Sequence, residues 1–190
     1  CYEIRYGFGF CCYEHHADLI AMQLQCSVAE TDPVKFSVLS VTNRQQKTQQ
    51  YRIYYAVKPV LGVSAKNSRM MSFQQEGVLC AQNIYQKNAD RNTLFLAATL
   101  PFDSYTGDGT EFFAQDGTLL LPRAPQLNGK MGFLAHSCLG GCVSISLQAG
   151  KTAKIGFMLG CCDETKVQAT AAKYANSNQM EKESTSVKNL

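Results

Sequence analysis

The fold is decided by one stretch of sequence, Asp32-Pro-Val-Lys-Phe-Ser-Val-Leu-Ser-Val-Thr-Asn-Arg44, and its continuation after a polar link, Tyr51-Arg-Ile-Tyr-Tyr-Ala-Val-Lys-Pro-Val-Leu-Gly62. The continuation alternates strictly, with Tyr51, Ile53, Tyr55 and Val57 on one face and Arg52, Tyr54, Ala56 and Lys58 on the other. This period of two is typical of a half-buried β-strand. The first run changes phase after Val38, which predicts a bulge or burial on both faces. Because the link (residues 43–47) is short and polar, the two strands are predicted to pair as a long antiparallel hairpin.

Strand patterns recur along the rest of the chain. They cover residues 2–13 (two strands bent at Gly7 and Gly9), 19–28, 77–84, 93–100, 142–147 and 152–159. In the last two strands apolar and polar residues alternate, and the short polar stretch 148–151 separates them. This pattern predicts a second hairpin. Residues 101–117 and 122–132 are predicted to be irregular. About ten strands at this regular spacing predict an all-β fold, a large antiparallel β-sandwich.

The C-terminal part has a helical pattern. Asp163 is suited to cap a helix that begins at Glu164, with Val167, Ala171 and Tyr174 on one side. Beyond Asn176 the sequence is polar and predicts a fraying tail. We therefore expect a β-sandwich domain over residues 1–162, followed by a C-terminal helix and polar tail over residues 163–190.

Composition excludes several classes of protein. The 190 residues are 45% hydrophobic, which fits one domain with a sizeable core, and the first residue, Cys1, suggests a fragment or a processed chain. No apolar run approaches the roughly 20 residues of a membrane span, and no charged-then-apolar leader opens the chain. The formal charge is only +3, with Lys and Arg scattered. Nucleic acid is therefore not an expected partner, since phosphate binding needs a concentrated basic surface.

The nine cysteines do not form a recognisable metal or disulfide pattern. Their number is odd, and Cys11-Cys12 and Cys161-Cys162 are adjacent pairs. His15, His16 and His136 lie at no zinc-site spacing. We expect free thiols in a reducing compartment, which favours the cytoplasm, and we expect no metal and no cofactor.

Several short segments together resemble one family. They are Asp32-Pro33-Val34-Lys35, Thr42-Asn43-Arg44, Leu61-Gly62, Arg5-Tyr6-Gly7-Phe8-Gly9-Phe10 followed by Tyr13-Glu14-His15, the segment 106–117, and Ile155-Gly156-Phe157-Met158-Leu159-Gly160. In this order they resemble the N-terminal β-sandwich of the family-94 glycoside phosphorylases, formerly glycosyltransferase family 36. Within that family the chain is most similar to the cyclic β-1,2-glucan synthases.

The resemblance implies a galactose-mutarotase-like supersandwich and a set of sugar-binding candidates, which are Arg5, Tyr13, His15, Asn67 and Arg69. It implies no catalytic residue in this chain, because a separate helical barrel carries the acid that protonates the glycosidic oxygen. The implied partners are a β-glucan or oligosaccharide and that barrel of the parent chain. The resemblance also leaves open attachment of the parent protein to the inner membrane.

The function most consistent with these features is that of a carbohydrate-binding or accessory sandwich domain of a cyclic β-1,2-glucan synthase or β-glucoside phosphorylase. The alternative is a purely structural or dimerising module that makes no sugar contact and forms a homodimer. The chain has no Trp to serve as a sugar platform, although Tyr platforms remain available. A third reading, a sandwich epimerase, would use Glu14, His15 and His16, but adjacent strand residues face opposite ways.

Overall fold

The computed structural model describes residues 2–64, 68–86, 92–114, 116–122 and 124–188. The strands within these residues are β1 (Tyr2–Gly7), β2 (Phe10–His16), β3 (Ile20–Val28), β4 (Val34–Asn43), β5 (Gln49–Val57), β6 (Met70–Gln75), β7 (Val78–Asn83), β8 (Asn92–Ala98), β9 (Ser104–Asp108), β10 (Gly132–Phe133), β11 (Ser137–Leu147) and β12 (Thr152–Asp163). Two helices follow, α1 (Val167–Lys173) and α2 (Ser177–Lys188).

The strands form two antiparallel sheets of unequal size. The large sheet has nine strands in the order β1-β2-β3-β4-β12-β8-β7-β6-β10, and the small sheet has three in the order β5-β11-β9. The small sheet packs on one face of the large sheet, where Tyr55 stacks on Phe157 with ring centroids 5.0 Å apart. Val143 and Ile155 are fully buried in the same cluster. The predicted all-β antiparallel sandwich with a C-terminal helix is thereby confirmed.

Both predicted hairpins are wrong, because their strands lie in different sheets. β4 pairs with β3 and β12, whereas β5 pairs with β11. Likewise β11 belongs to the small sheet and β12 to the large one. Alternation predicts which face of a strand is buried, but it does not predict which strand pairs with it. Two strands that bury alternate side chains can pair in one sheet or lie in the two facing sheets of a sandwich. The links at residues 44–48 and 148–151 are therefore arches that cross from one sheet to the other.

Asn43 joins the two arches. Its side chain is completely buried and donates from Nδ2 to the carbonyl oxygens of Lys47 at 2.8 Å and Leu147 at 2.9 Å. Its Oδ1 accepts from the backbone N–H of Gln45 at 3.0 Å and from the Tyr51 hydroxyl at 3.2 Å. The first arch and the end of β11 are thus held by one amide group.

The other face of the large sheet is covered by the helices. Asp163 accepts from the N–H of Thr165 at 2.9 Å, which caps the 3-10 turn that leads into α1, as the sequence predicts. Val167, Ala171 and Tyr174 are buried, and the Tyr174 ring meets Phe36 edge-on with centroids 4.9 Å apart. The side chains predicted to line the helix therefore form its contact with the sheet.

The tail predicted beyond Asn176 is instead the second helix, α2. Met180 is completely buried in the core cluster that the helices share with the sheet. A Cβ on Gly156 would lie 2.5 Å from the Met180 sulfur, so the missing side chain of β12 leaves the space that Met180 fills. Met180 and Val187 are the two apolar residues of this polar run, too few to predict a helix, and the surface opposite Met180 decides that the run folds.

Strands β6, β9 and β10 were not predicted, and β9 lies in a segment expected to be irregular. β9 has the sequence Ser-Tyr-Thr-Gly-Asp and pairs with β11 at the edge of the small sheet. A short polar edge strand depends on its neighbour's backbone rather than on its own side-chain pattern. The eight described cysteines are free thiols, and burial raises the pKa of Cys80 and of Cys138 to about 12. None of the helices in the described residues is long and apolar enough to cross a membrane.

The buried amide of Asn43 predicts a large effect of Asn43→Ala on stability. The substitution removes the side-chain partner of the Lys47 and Leu147 carbonyl oxygens, the Gln45 N–H and the Tyr51 hydroxyl, at roughly 1–3 kcal/mol for each group left unpaired in the interior. We expect the free energy of unfolding in urea to fall by about 3 kcal/mol. Gln50→Ala, at an exposed position of β5, is the control and should change it by less than about 0.5 kcal/mol. Equal, small effects of the two substitutions would contradict the assigned role of Asn43.

Asp32 predicts a defined pH dependence of stability. Hydrogen bonds from Lys173 and Tyr174 hold the pKa of Asp32 below its ordinary value of 3.8. A lowered carboxyl pKa contributes stability that is present above the ordinary value and is lost as the pH falls through the folded value. The stability difference between the wild type and Asp32→Asn should therefore be constant from about pH 5 to pH 8 and vanish well below pH 3.8. Asp18→Asn, in the exposed turn before β3, removes the same charge and is the control.

Candidate functional site

Three predicted sugar-binding residues, Arg5, Tyr13 and His15, lie on β1 and β2 but do not form one site. Arg5 is directly opposite Cys12 in the register, so it shares a face with the even-numbered residues of β2. Tyr13 and His15 are odd-numbered and point to the other face. Arg5 also forms an ion pair with Glu14. The sheet therefore separates the guanidinium from the phenol and the imidazole.

The same geometry separates the residues of the epimerase reading. Glu14 accepts from Gln23 at 2.8 Å and lies 3.5 Å from the His16 ring, on the Arg5 face. His15 is on the opposite face, with its ring centroid 6.3 Å from that of Tyr2. A hydrogen bond with Cys11 raises the pKa of Tyr13 to about 12. Glu14 and His15 thus do not share a cleft.

The remaining predicted residues are Asn67 and Arg69. Asn67 lies outside the described residues. Arg69 immediately precedes β6, which is seven strand positions from β1 in the large sheet. At about 4.8 Å per strand, this distance is roughly 30 Å. Arg69 therefore belongs to a different surface from Arg5, Tyr13 and His15.

Arg69 lines a cleft of about 580 Å³. Its walls come from the segment after β5, the start of β6, β10 and the turn before β11; the lining residues are Lys58, Pro59, Val60, Ser68, Arg69, Met70, Phe133, Leu134, Ala135, His136 and Ser137. A smaller pocket, which adds Gly109 and Thr110, shares Lys58, His136 and Ser137 with it. The volume lies within the 300–1,000 Å³ typical of small-molecule sites.

The first wall of the cleft is held by Asn83, a buried residue at the end of β7. Its Oδ1 accepts from the backbone N–H of Arg69 and of Tyr85, both at 3.1 Å. Its Nδ2 donates to the carbonyl oxygen of Leu61 at 2.6 Å. One buried amide thus positions the segment after β5 and the backbone that carries Arg69.

The opposite wall is the turn that leads into β11. Ser137 Oγ lies within hydrogen-bond distance of the carbonyl oxygens of Met70, at 3.2 Å, and Leu134, at 3.1 Å. The N–H of Gly109 donates to the carbonyl oxygen of His136, and a Cβ on Gly109 would lie 2.6 Å from that oxygen. A larger residue at position 109 would therefore displace the turn that carries His136.

The cleft is basic and has an aromatic surface. Lys58, Arg69 and His136 are exposed in it, and its lining residues include no Asp or Glu. The Arg69 guanidinium carbon lies 5.6 Å from the centre of the Phe133 ring, which is 50% exposed. The arrangement offers hydrogen-bond donors beside an apolar ring, which is the chemistry that holds a small polar ligand with apolar faces.

Asp108, which precedes Gly109 and Thr110 of the smaller pocket, is engaged elsewhere. Asp108 accepts from the N–H and hydroxyl of Thr110 and lies 3.8 Å from the Lys130 ammonium. Partial burial pushes the pKa of Asp108 upward, but the hydrogen bonds from Thr110 and the charge of Lys130 outweigh it and leave this pKa below its ordinary value. Glycosyl transfer needs a proton-donating acid at the glycosidic oxygen, and the residues that line the cleft include no Asp or Glu.

The resemblance named Arg69 as a candidate, and sequence reasoning named none of the other residues that line this cleft. Lys58 comes from the segment after β5, and Phe133 and His136 come from a distant segment before β11; each looks like an ordinary surface residue by itself. No group of three or more His, Cys, Asp or Glu side chains in the described part of the chain could hold a metal ion.

The role of Asn83 predicts a local effect on the cleft. Asn83→Ala removes the shared acceptor of Arg69 and Tyr85, so their amide hydrogens should exchange faster with solvent, and the free energy of unfolding should fall by about 2 kcal/mol. Hydrogen-exchange mass spectrometry checks this prediction. Gln74→Ala, at an exposed position of β6, is the control and should leave exchange in the cleft walls unchanged. Uniform acceleration over the whole chain would argue against a specific positioning role.

Comparison with known proteins places the chain in a family. Its fold is similar to a protein described as a kojibiose phosphorylase from the human microbiome, with a TM-score of 0.55 and 10% identity over 94% of this chain and 22% of that one. A polysaccharide lyase gives a TM-score of 0.46 at 9% identity, over 79% of this chain and 21% of the lyase. A protein described as an aldose 1-epimerase from Escherichia coli gives 0.42 at 11% identity, over 84% and 68% of the two chains.

None of the curated protein sequences matches the chain. The chain spans about a fifth of the phosphorylase, 22% of its length. A family model described as the glycosyl hydrolase 94 supersandwich domain matches residues 1–177, which is nearly the whole sequence. The chain therefore belongs to the supersandwich-domain family of glycosyl hydrolase 94.

Proposed function

We propose that the chain is the accessory sandwich domain of a larger carbohydrate-active protein and that the cleft around Arg69 contacts the sugar. The single observation that carries the proposal is the half-exposed Phe133 ring beside donor side chains in a cleft of about 580 Å³. A pyranose has an apolar face and a rim of hydroxyl groups. An aromatic ring flanked by Arg and Lys donors matches both.

The proposed parent is a cyclic β-1,2-glucan synthase or a related β-glucoside phosphorylase. The segments around Arg5, Asp32 and Thr106, which resemble those enzymes in the same order, support this assignment. Glycosyl transfer is assigned to a helical barrel of the parent chain, which this sequence does not include. The free thiols favour a cytoplasmic location for the parent.

Arg5 on one face of the β1–β2 pair, and Tyr13 and His15 on the other, are proposed as secondary carbohydrate contacts. Arg5 already forms an ion pair with Glu14, so binding a sugar there would compete with an existing partner. Arg69 has its guanidinium over an aromatic ring in an open cleft. The cleft is therefore the preferred sugar contact of the domain.

A second candidate function, a packing or dimerising module, is favoured by a different surface. Tyr2, Ile4 and Tyr6 lie on one face of β1 and are 62%, 41% and 74% exposed. Contiguous apolar side chains on a sheet face are typical of an interface with another domain or another copy. This surface is distinct from the cleft, so the two functions are compatible.

The sugar-contact proposal predicts saccharide binding that depends on Phe133. Titration of the chain with cyclic β-1,2-glucan and with cellobiose, followed by NMR, should shift the resonances of the cleft walls. Phe133→Ala should weaken binding about fivefold, because an aromatic contact contributes roughly 1 kcal/mol. Phe8→Ala, which removes the 80% exposed ring in the β1–β2 turn, is the matched control and should have no effect.

Two outcomes would decide against the sugar contact. Absence of any shift up to millimolar saccharide would contradict it, and so would shifts that the Phe8 and Phe133 substitutions weaken equally. If saccharides do not bind, a dimer in analytical ultracentrifugation that Tyr6→Ser dissociates would support the packing module instead.

A further inference from the structure

Two cysteines on neighbouring strands, Cys11 of β2 and Cys26 of β3, lie directly opposite each other. The N–H of Ala17 donates to the carbonyl oxygen of Ile20 at 2.9 Å, so the alternation along this ladder makes Cys11 and Cys26 a hydrogen-bonded pair. The Cα atoms of such a pair lie about 5.5 Å apart, within the roughly 4.4–6.8 Å that disulfides span. The backbone therefore has the spacing that a disulfide requires.

The two thiols also face each other. Opposite residues of an antiparallel pair project from the same face of the sheet, and the Cys11 thiol is within hydrogen-bond reach of the Cys26 thiol. The adjacent pairs Cys11-Cys12 and Cys161-Cys162 each lie on one strand, where successive side chains point to opposite faces. In the strand registers of the described residues, Cys11 and Cys26 are the only cysteines paired with each other.

The pair is accessible from a hollow of about 360 Å³ at the surface. Both cysteines are half-buried and line this hollow together with Tyr6, Val28 and Lys35. The Tyr6 and Val28 side chains are 74% and 52% exposed, and Lys35 is an exposed position of β4. A small reagent can therefore reach the sulfurs in the folded protein, and Lys35 supplies a charge that attracts an anionic one.

The surroundings of Cys26 indicate the order in which the two sulfurs react. Burial raises the pKa of Cys26 above its ordinary value, although the hydrogen bond with Ser37 and the charge of Lys35 act in the opposite direction. A thiol with a raised pKa is mostly protonated at neutral pH and is a poor nucleophile, because the thiolate is the attacking species. Cys11 is therefore expected to react first and Cys26 to close the bond.

We propose that Cys11 and Cys26 form a reversible redox site that a small anionic disulfide, of the class of glutathione disulfide, oxidises. The Cys11 thiolate attacks one sulfur of glutathione disulfide, the S–S bond of that molecule breaks, and one glutathione leaves as a thiolate. Cys26 then loses its proton and attacks the Cys11 sulfur, which releases the second glutathione. The protein gives up two electrons and two protons, the two glutathione molecules take them up, and a Cys11–Cys26 bond is formed.

The bond joins the edge of the large sheet to its interior. β1 and β2 are the outermost strands on this side of the sheet, and β1 carries the exposed side chains of Tyr2, Ile4 and Tyr6. A link between β2 and β3 therefore fastens the hairpin that presents this apolar surface. Exposed disulfides are in general more readily reduced than buried structural ones, so the link is suited to form and break with the redox state of its surroundings.

The test equilibrates the folded 190-residue chain with mixtures of oxidised and reduced glutathione and then alkylates the remaining free thiols. Mass spectrometry after proteolysis should find peptides joined through Cys11 and Cys26, with the free-thiol count reduced from nine to seven. Excess reduced glutathione should restore all nine thiols. Amide hydrogen exchange in β2 and β3 should be slower in the oxidised chain than in the reduced chain.

Matched variants test the role of each sulfur. Cys26→Ser should stop the reaction at the mixed disulfide, with one glutathione on Cys11. Cys11→Ser should slow the attachment of glutathione to Cys26 at least fivefold relative to its attachment to Cys11 in Cys26→Ser. Cys161→Ser, at another half-buried position, is the control and should leave the Cys11–Cys26 linkage unchanged. Thermal unfolding checks the fold of each variant, and the wild-type peptide map tests the linkage without any variant.

Several outcomes would overturn the inference. Nine free thiols in the wild type under excess glutathione disulfide would show that the pair does not oxidise. Accumulation of glutathione on wild-type Cys11 would show that Cys26 does not close the bond. Linkages formed equally often by other cysteines would contradict a specific site, and so would a yield that Cys161→Ser lowers as much as Cys26→Ser. A linkage that reduced glutathione leaves intact would contradict its reversibility.

Discussion

The sandwich depends on the buried amide of Asn43. This residue ends β4, and its side chain binds Lys47 in the first arch and Leu147 at the end of β11. Its backbone also accepts from Gly150 and donates to Lys151 in the second arch. Every polar group of Asn43 is therefore used, and both crossings between the sheets meet at one residue. Because an amide buried without partners is costly, the hydrogen bonds favour this crossing geometry over alternatives that would leave the groups unpaired.

The large sheet carries different layers on its two faces, and glycines of β12 adjust the fit. Gly156 leaves room for Met180 of α2, and Gly160 lies against the Phe95 ring. On the other face Tyr55 of the small sheet stacks on Phe157. β12 lies between β4 and β8 and is therefore central to both layers. The helices and the small sheet are coupled through the same strand.

The cleft forms where the two sheets end beside each other. β5 leaves the small sheet at Val57, β6 begins at Met70, and Asn83 holds both chain segments in place. Buried Asn83 thus positions the walls of the cleft, and buried Asn43 holds the crossings between the two sheets. Exposed Lys58, Arg69 and His136 and the Phe133 ring line this cleft.

The sequence by itself determined the strands with strong alternation, the cap at Asp163 and the buried side of α1. It did so because these features depend on local periodicity and on a hydrogen bond to a residue two positions away. Arg69 was named by the resemblance to the family and not by a local pattern. Tertiary structure alone decided that β4 and β5 cross between sheets, since both a hairpin and an arch bury alternate side chains. It also decided the burial of Met180 and brought Lys58 into one cleft with the segment that carries Phe133 and His136, because no local pattern encodes the proximity of parts that are distant in the sequence.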